Sequence, residues 1–323
     1  MKRIIPGFLL ILSMMLIGCE LPDPDPIPIP GTDTTEIQYL SGTGSDDRIN
    51  WQFYCSEGRN CGTWTTIPVP SCWEMEGFGT YEYGGYTAAE QGRYRHNFEV
   101  PFSWRGKNVY IVFEGSMTDT QVWINGQSAG AKHQGSFYRF KYDISNLLNY
   151  NSLNQIEVTV DKVSSNLSVN EAERQADYWV FGGIYRPVYL EANPAQFIER
   201  VAVDAKASGE FDMDVYLKHI QSADSVVCQI KDMDGNDAGR AFSQPVYRGR
   251  ESIRLSTVIT NPNLWDTENP HLYQAYVSLK DGDTVIHTLS ERFGFRTIEV
   301  KRGDGIYVNG NILSSFCVIL KKE

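Results

Sequence analysis

The chain has 323 residues, 41% of them hydrophobic, and a formal charge of −11 from 40 acidic against 29 basic side chains. That much apolar residue can fill a core, and the length suggests about two domains. The excess of carboxylates repels phosphate backbones and argues against a nucleic-acid partner.

Residues 1–18 read as a signal peptide: Lys2 and Arg3 precede a short apolar run from Phe8 to Ile17. That run falls well short of the ~20 residues a membrane-spanning helix needs. Leu16-Ile17-Gly18-Cys19 resembles a bacterial lipobox, which predicts lipidation of Cys19, membrane attachment through the lipid and a place in the cell envelope. Over residues 19–35, Pro22, Pro24, Pro26, Pro28 and Pro30 alternate with Asp and Ile. No helix or interior strand tolerates that pattern, so it predicts an extended tether.

Beyond the tether, nearly every segment alternates with period two. Val109–Phe113 carries apolar residues on both faces, as in a strand buried on both sides, while Gln155–Val160 reads as a half-buried strand. Val122-Trp123-Ile124 runs into Asn125-Gly126, a strong two-residue hairpin signal. The single helical signal lies at Asp143–Leu148, where a capping side chain precedes a short apolar pair. A second set of alternating segments starts near residue 197. It includes Phe211-Met213-Val215-Leu217, Val226-Cys228-Ile230 before Asp234-Gly235, and Ala275-Val277-Leu279 before Asp281-Gly282. Asn193-Pro194 separates the two sets, because proline cannot continue a central ladder. The pattern predicts an all-β chain: a jelly-roll-like β-sandwich over 36–195, then an immunoglobulin-like β-sandwich over 196–298.

Besides Cys19 there are five cysteines: Cys55, Cys61, Cys72, Cys228 and Cys317. An odd number leaves at least one unpaired within the chain, and Cys55 with Cys61 could close a small loop. No CxxC spacing repeats, and His96, His133, His219, His271 and His287 are scattered, which argues against a zinc site. The sequence points to no metal and no cofactor.

Several segments, taken in order, carry a family resemblance. They are Trp64–Glu74, Gly92–Arg95, Phe113–Gly115, Val122–Gly126, Asp177–Val188, Leu264–Asp266, Asn269–Tyr273, Arg292–Arg296 and Gly305–Gly310. Together they resemble the front half of glycoside hydrolase family 2, which contains β-galactosidases, β-glucuronidases and β-mannosidases. The resemblance implies a galactose-binding-like first domain, a β-glycoside or oligosaccharide as ligand, and residues 299–323 as the start of a (β/α)₈ catalytic domain. It also implies that Asp177 accepts hydrogen bonds from sugar hydroxyls, a role suited to a carboxylate. The loop Gly79–Tyr86 lacks the Asn that some β-galactosidases place there, which puts galactose specificity in question. Tyr81, Tyr83 and Tyr86 suit either a sandwich core or an exposed sugar platform, whereas Trp73 and Phe78 suit a core. Gly182-Gly183 reads as a tight turn, and Arg186 and Arg296 as structural.

In this family the catalytic glutamates lie on barrel strands downstream of Gly310, and a barrel takes ~250 residues. The sequence therefore assigns no catalytic residue here and predicts that this chain cuts no glycoside by itself. The missing parts could come from a separately encoded barrel fragment. A membrane-anchored, non-catalytic carbohydrate-binding or assembly module is the alternative, and a non-functional translated remnant a third. The apolar tail after Gly310 is expected to add to a sandwich edge or stay exposed.

Overall fold

The computed structural model describes residues 34–83, 90–175 and 178–313, and the fold is all-β. The first sandwich is built from β1 (Glu36–Tyr39), β2 (Ile49–Cys55), β3 (Trp64–Val69), β4 (Gln91–Glu99), β5 (Asn108–Phe113), β6 (Asp119–Ile124), β7 (Gln127–Ser128), β8 (Phe140–Asp143), β9 (Leu153–Asp161) and β10 (Val188–Asn193). A helix, α1 (Leu167–Glu173), precedes β10. The second sandwich comprises β11 (Phe197–Ala205), β12 (Glu210–Lys218), β13 (Ser225–Asp232), β14 (Phe242–Pro245), β15 (Ser252–Val258), β16 (Tyr273–Asp281) and β17 (Thr284–Phe293). Three short strands follow: β18 (Ile298–Lys301), β19 (Gly305–Val308) and β20 (Asn311–Ile312).

In the first sandwich a sheet ordered β1-β10-β5-β8 faces one ordered β3-β2-β4-β9-β6-β7. Alternation decides which side chains go between them. In β2, Trp51, Phe53 and Cys55 point inward; in β9, Asn154, Ile156, Val158 and Val160 do. β5 buries Val109, Ile111, Val112 and Phe113, as its two apolar faces require. Asn125 and Gly126 take φ of 52° and 77°, the positive values of a type I′ turn between β6 and β7. The second sandwich pairs β11-β12-β15 with β14-β13-β16-β17 around Phe211, Met213, Val277, Phe293 and Phe295.

The two sandwiches meet through hydrogen bonds at a buried histidine. His287 Nδ1 accepts from the Ile198 amide at 3.0 Å, so the ring proton sits on Nε2 and faces Thr35 Oγ1 at 3.0 Å. Thr35 in turn donates to Asn193 Oδ1 at 2.7 Å.

Two features differ from the sequence reading. The helical signal at 143–148 yields only one 3₁₀ turn, Ser145–Leu147, while the α-helix lies at Leu167–Glu173. That helix is nearly all exposed, burying only Asn170, so it needs no apolar stripe; its start is set by Asn166 Oδ1 accepting from the Ser168 amide at 3.0 Å. Cys55, Cys61, Cys72 and Cys228 are all free thiols. Cys55 points into the core and donates to the Glu57 carbonyl, whereas Cys61 is exposed, so the loop between them is not closed by a disulfide. Of the two outcomes expected for the segment after Gly310, its described part takes the second: Asn311–Ile312 pairs with β19 in a sheet of its own, not at a sandwich edge, and Ile312 is exposed. Residues 314–323 lie outside the described residues.

Candidate sugar-facing site

Two loops of the first sandwich converge at one end of the sheets. One follows β3 and carries Trp73 to Tyr83; the other precedes β10 and carries Tyr178 to Tyr185. Their backbones are stitched together, with Ser71 N on Ile184 O at 2.8 Å and Trp73 N on Gly182 O at 3.1 Å. The approach needs both glycines. A Cβ on Gly182 would run into the Trp73 indole, and one on Gly183 would come within 2.6 Å of the Ser71 carbonyl. Gly183 also has a φ of +124°, which L side chains rarely adopt.

On the outside of this junction the loops present an aromatic cluster. Tyr81 stacks on Trp179 with centroids 4.4 Å apart and planes 22° from parallel. Phe181 flanks the pair, 6.3 Å from Tyr81 and 6.5 Å from Trp179, and Tyr83 meets Trp179 edge-on at 5.5 Å. Tyr81, Tyr83 and Trp179 remain 43%, 56% and 36% exposed. Arg59 lies with its guanidinium 5.2 Å from the Tyr81 ring centroid and donates to the Glu74 carbonyl at 2.9 Å, clamping the first loop. Trp73, by contrast, is fully buried and Phe78 packs against the core. Asp177, Tyr86 and Cys19 lie outside the described residues; Asp177 precedes Trp179 by two positions in sequence.

Beneath the cluster sits a sealed ionic network. Lys162 is fully buried, with Nζ 2.8 Å from Glu74 Oε1, 3.3 Å from Glu90 Oε1 and 2.7 Å from the Thr80 carbonyl. Both Glu74 oxygens accept from the Gly182 amide at 3.0 Å. Glu90 accepts from Trp73 Nε1 at 2.7 Å and from the Thr80 amide at 3.1 Å. One cation and two carboxylates thus fix both loops to the sheet. Burial pushes the Glu74 carboxyl up, against the opposing pull of Lys162. Arg174, also buried, donates to the Phe181 carbonyl and to Ser136 Oγ, both at 3.1 Å, and holds the second loop from behind.

Glu74 and Glu90 are the wrong kind of carboxylate pair for glycoside cleavage. A retaining pair must touch the scissile bond from two sides, and these two are wholly enclosed with their oxygens committed to backbone, Trp73 and Lys162. Among the described residues no group of His, Cys, Asp and Glu is placed to hold a metal ion, and no helix is long and apolar enough to cross a membrane. Burial raises the Cys72 thiol to about 12 and that of Cys55 to about 11, so neither offers a thiolate near neutral pH.

Residues 51–194 match the model of the sugar binding domain of glycosyl hydrolases family 2, and residues 196–296 match a second model of glycosyl hydrolases family 2. The chain belongs to glycoside hydrolase family 2. Among similar proteins of this family, a putative beta-glucuronidase of Formosa agariphila is 30% identical over 81% of this chain and 26% of its own length. A beta-galactosidase of Priestia megaterium is 29% identical over 74% of this chain and 25% of its own. The family 2 chain thus spans about a quarter of each of these relatives. In fold it is similar to a putative beta-galactosidase from Bacteroides fragilis, with a TM-score of 0.68 and 24% identity over 87% of this chain and 44% of that one. A Bacteroides uniformis beta-glucuronidase gives 0.69 and 21%, over 86% and 34%.

Trp179, Phe181, Arg59 and the ionic network were not singled out from sequence. A signal for the network existed. Lys162 continues the inward run 154, 156, 158, 160 of β9, and Glu90 continues the inward positions 92 and 94 of β4. A charged residue at an inward position needs a partner, and here each supplies the other's.

Proposed function

We propose that this family 2 chain positions a sugar for a β-galactosidase- or β-glucuronidase-like glycosidase and does not cut it. The observation that carries this reading is the exposed Tyr81–Trp179 stack, flanked by half-buried Phe181 and built on a rigid ionic base where two loops meet. Flat apolar faces with polar tips suit the C–H faces and hydroxyls of a pyranose. Asp177, adjoining the stack in sequence, would accept from two neighbouring hydroxyls. The bond-breaking glutamates would come from a (β/α)₈ catalytic partner, including one encoded separately. The test uses residues 20–323 with aryl β-galactoside, β-glucuronide and β-mannoside, and with the corresponding methyl glycosides for binding. We expect no release of aglycone, and binding that Trp179→Ala removes. Hydrolysis that survives stringent purification, or binding indifferent to Trp179, overturns the proposal.

A second reading, a non-catalytic carbohydrate-binding module anchored to the cell envelope, is supported by the Leu16-Ile17-Gly18-Cys19 order and the proline-rich segment after it. Stable anchoring takes more than one acyl chain, so a lipidated product should fractionate wholly with membranes. Cys19→Ser should release it or block its processing; a mutant that partitions like the parent rules the anchor out.

A further inference from the structure

The six-stranded sheet turns its apolar side to the core and leaves the other side open. On that open side the ladder register lines up two rows of side chains. Arg95, Glu157 and Trp123 stand abreast, and so do Tyr54, Arg93, Thr159 and Gln121. With Trp64 at one wall, all of these but Tyr54 line an open groove of about 660 Å³, within the range of about 300–1,000 Å³ typical of small-ligand clefts. It shares no lining residue with the Tyr81–Trp179 cluster.

The charges in this groove run against the rest of the molecule. In a chain rich in carboxylates, Arg93, Arg95 and Lys132 line it against Glu157 alone. Two of the three cations are already engaged. Arg95 Nε donates to Glu157 at 2.7 Å with its guanidinium 4.4 Å over Trp64, and Lys132 reaches Asp161 at 3.1 Å. Arg93 differs: it donates to Gln91 Oε1 at 2.9 Å and lies 5.6 Å over Tyr54. Among the described residues no carboxylate pairs with it, and it is exposed. Trp123, half-buried in the neighbouring row and two strands from Arg93, has no ring or cation over its indole among the described residues. Gln121, whose Nε2 already donates to Ser128 Oγ and the Gly130 carbonyl, offers an acceptor oxygen, and Thr159 a hydroxyl.

We infer that this groove binds a short acidic oligosaccharide, with a uronate carboxylate on Arg93, a sugar ring against Trp123 and hydroxyls on Gln121 and Thr159. A guanidinium with an open fork suits a carboxylate. An aromatic wall with amides and a hydroxyl beside it suits a polyhydroxylated ring rather than a bare anion. A single unpaired cation is too few for a phosphate backbone. The site is independent of the aromatic cluster, so either can fail without the other.

The test is calorimetric titration of the full chain with tetragalacturonate, with xylotetraose as the neutral comparator and poly-glutamate of matched charge as the peptide comparator. Tetragalacturonate should bind preferentially, and more weakly as salt is raised. Arg93→Gln and Trp123→Ala should each weaken it on the order of tenfold, the scale of losing one charge-assisted contact. Trp123→Phe should restore most of the binding, and the surface variant Lys206→Met, outside both sites, should leave it unchanged, with melting curves confirming that each variant is folded. The inference is overturned by absence of binding, by equal binding of xylotetraose or poly-glutamate, or by tetragalacturonate binding that Arg93→Gln and Trp123→Ala leave intact.

Discussion

The two sandwiches solve the same packing problem with different interiors. The second is filled by hydrocarbon and rings: Phe211, Phe293 and Phe295 lie with centroids 5.0–6.5 Å apart, and Tyr273 closes on Phe295 at 5.2 Å. Apart from the Cys228 thiol and the Tyr273 phenol, the one ionisable side chain it buries among the described residues is His287 at the seam. The first sandwich buries Glu74, Glu90, Asp119, Lys162 and Arg174 as well as a full apolar core. A β-sandwich does not need buried ions, since desolvating them costs more than an apolar core would. Their place explains them. Glu74, Glu90, Lys162 and Arg174 hold the two loops that carry Tyr81, Trp179 and Phe181, whereas apolar packing alone could not pin the backbone amides of Gly182 and Thr80.

The largest expected effect follows directly. Lys162→Met removes the cation shared by two buried carboxylates, and urea unfolding should show a loss of about 3–5 kcal/mol, the usual result of leaving a buried charge unpaired. Adding Glu74→Gln and Glu90→Gln should recover part of that loss, because the uncompensated charges go with them. If Lys162→Met is no worse than Lys206→Met on the surface, the network is not what distinguishes the first sandwich.

Phe295→Ala tests the other half. Removing a fully buried ring should cost about 3–5 kcal/mol, at the lower end because Phe211, Tyr273 and Phe293 can close in. The tryptophan fluorescence of the Trp179 cluster should stay native until the variant unfolds. A perturbed signal before unfolding would mean that the sandwiches are more tightly coupled than their separate cores suggest.

Asp119 gives a smaller, pH-dependent contrast. Burial would raise its carboxyl, but hydrogen bonds from Ser164, Ser165 and Gln134 outweigh that and hold it below the ordinary value. A lowered folded value means that its contribution is full above about pH 4 and is lost as pH falls through the folded value. Asp119→Asn should therefore cost about 1–3 kcal/mol at neutral pH, and the gap from the parent should narrow on acidification below about pH 4. Glu74 works in the opposite sense: its raised value makes its contribution best on the acid side and weaker as pH rises through that value. A gap between parent and Asp119→Asn that stays constant with pH would show that the carboxylate form is not what the serines stabilise.

The sheets were legible because strand burial is written in alternation, and the turn at Asn125-Gly126 because positive φ restricts the residues that can occupy it. The Asn309-Gly310 turn between β19 and β20, with φ of 52° and 81°, carries the same signature. The short helix was not legible, since an exposed helix needs no apolar period. Of the site, Tyr81 and Tyr83 were candidates from sequence. Their partner Trp179 was not singled out, because stacking across two loops depends on how the loops converge, and that is set by Gly182, Gly183 and a lysine nearly ninety positions from its first partner, Glu74. The parity of Lys162 and Glu90 was visible, but parity shows only that an inward charge needs a partner and does not name it.

The smallest effect on stability should be the largest on function. Tyr81→Ala and Trp179→Ala remove rings that are already more than a third exposed, so each should cost only about 0.5–1.5 kcal/mol, the worth of an aromatic pair. The double variant should cost little more than either single one, since both singles break the same stack. If the cluster is a sugar platform on a rigid base, Lys162→Met should also weaken glycoside binding, and Tyr81→Ala should weaken it without touching the unfolding midpoint much. Binding that survives both aromatic variants but fails in Lys162→Met would move the sugar contact off the rings and onto the loop backbone, leaving the ionic network as the feature that matters.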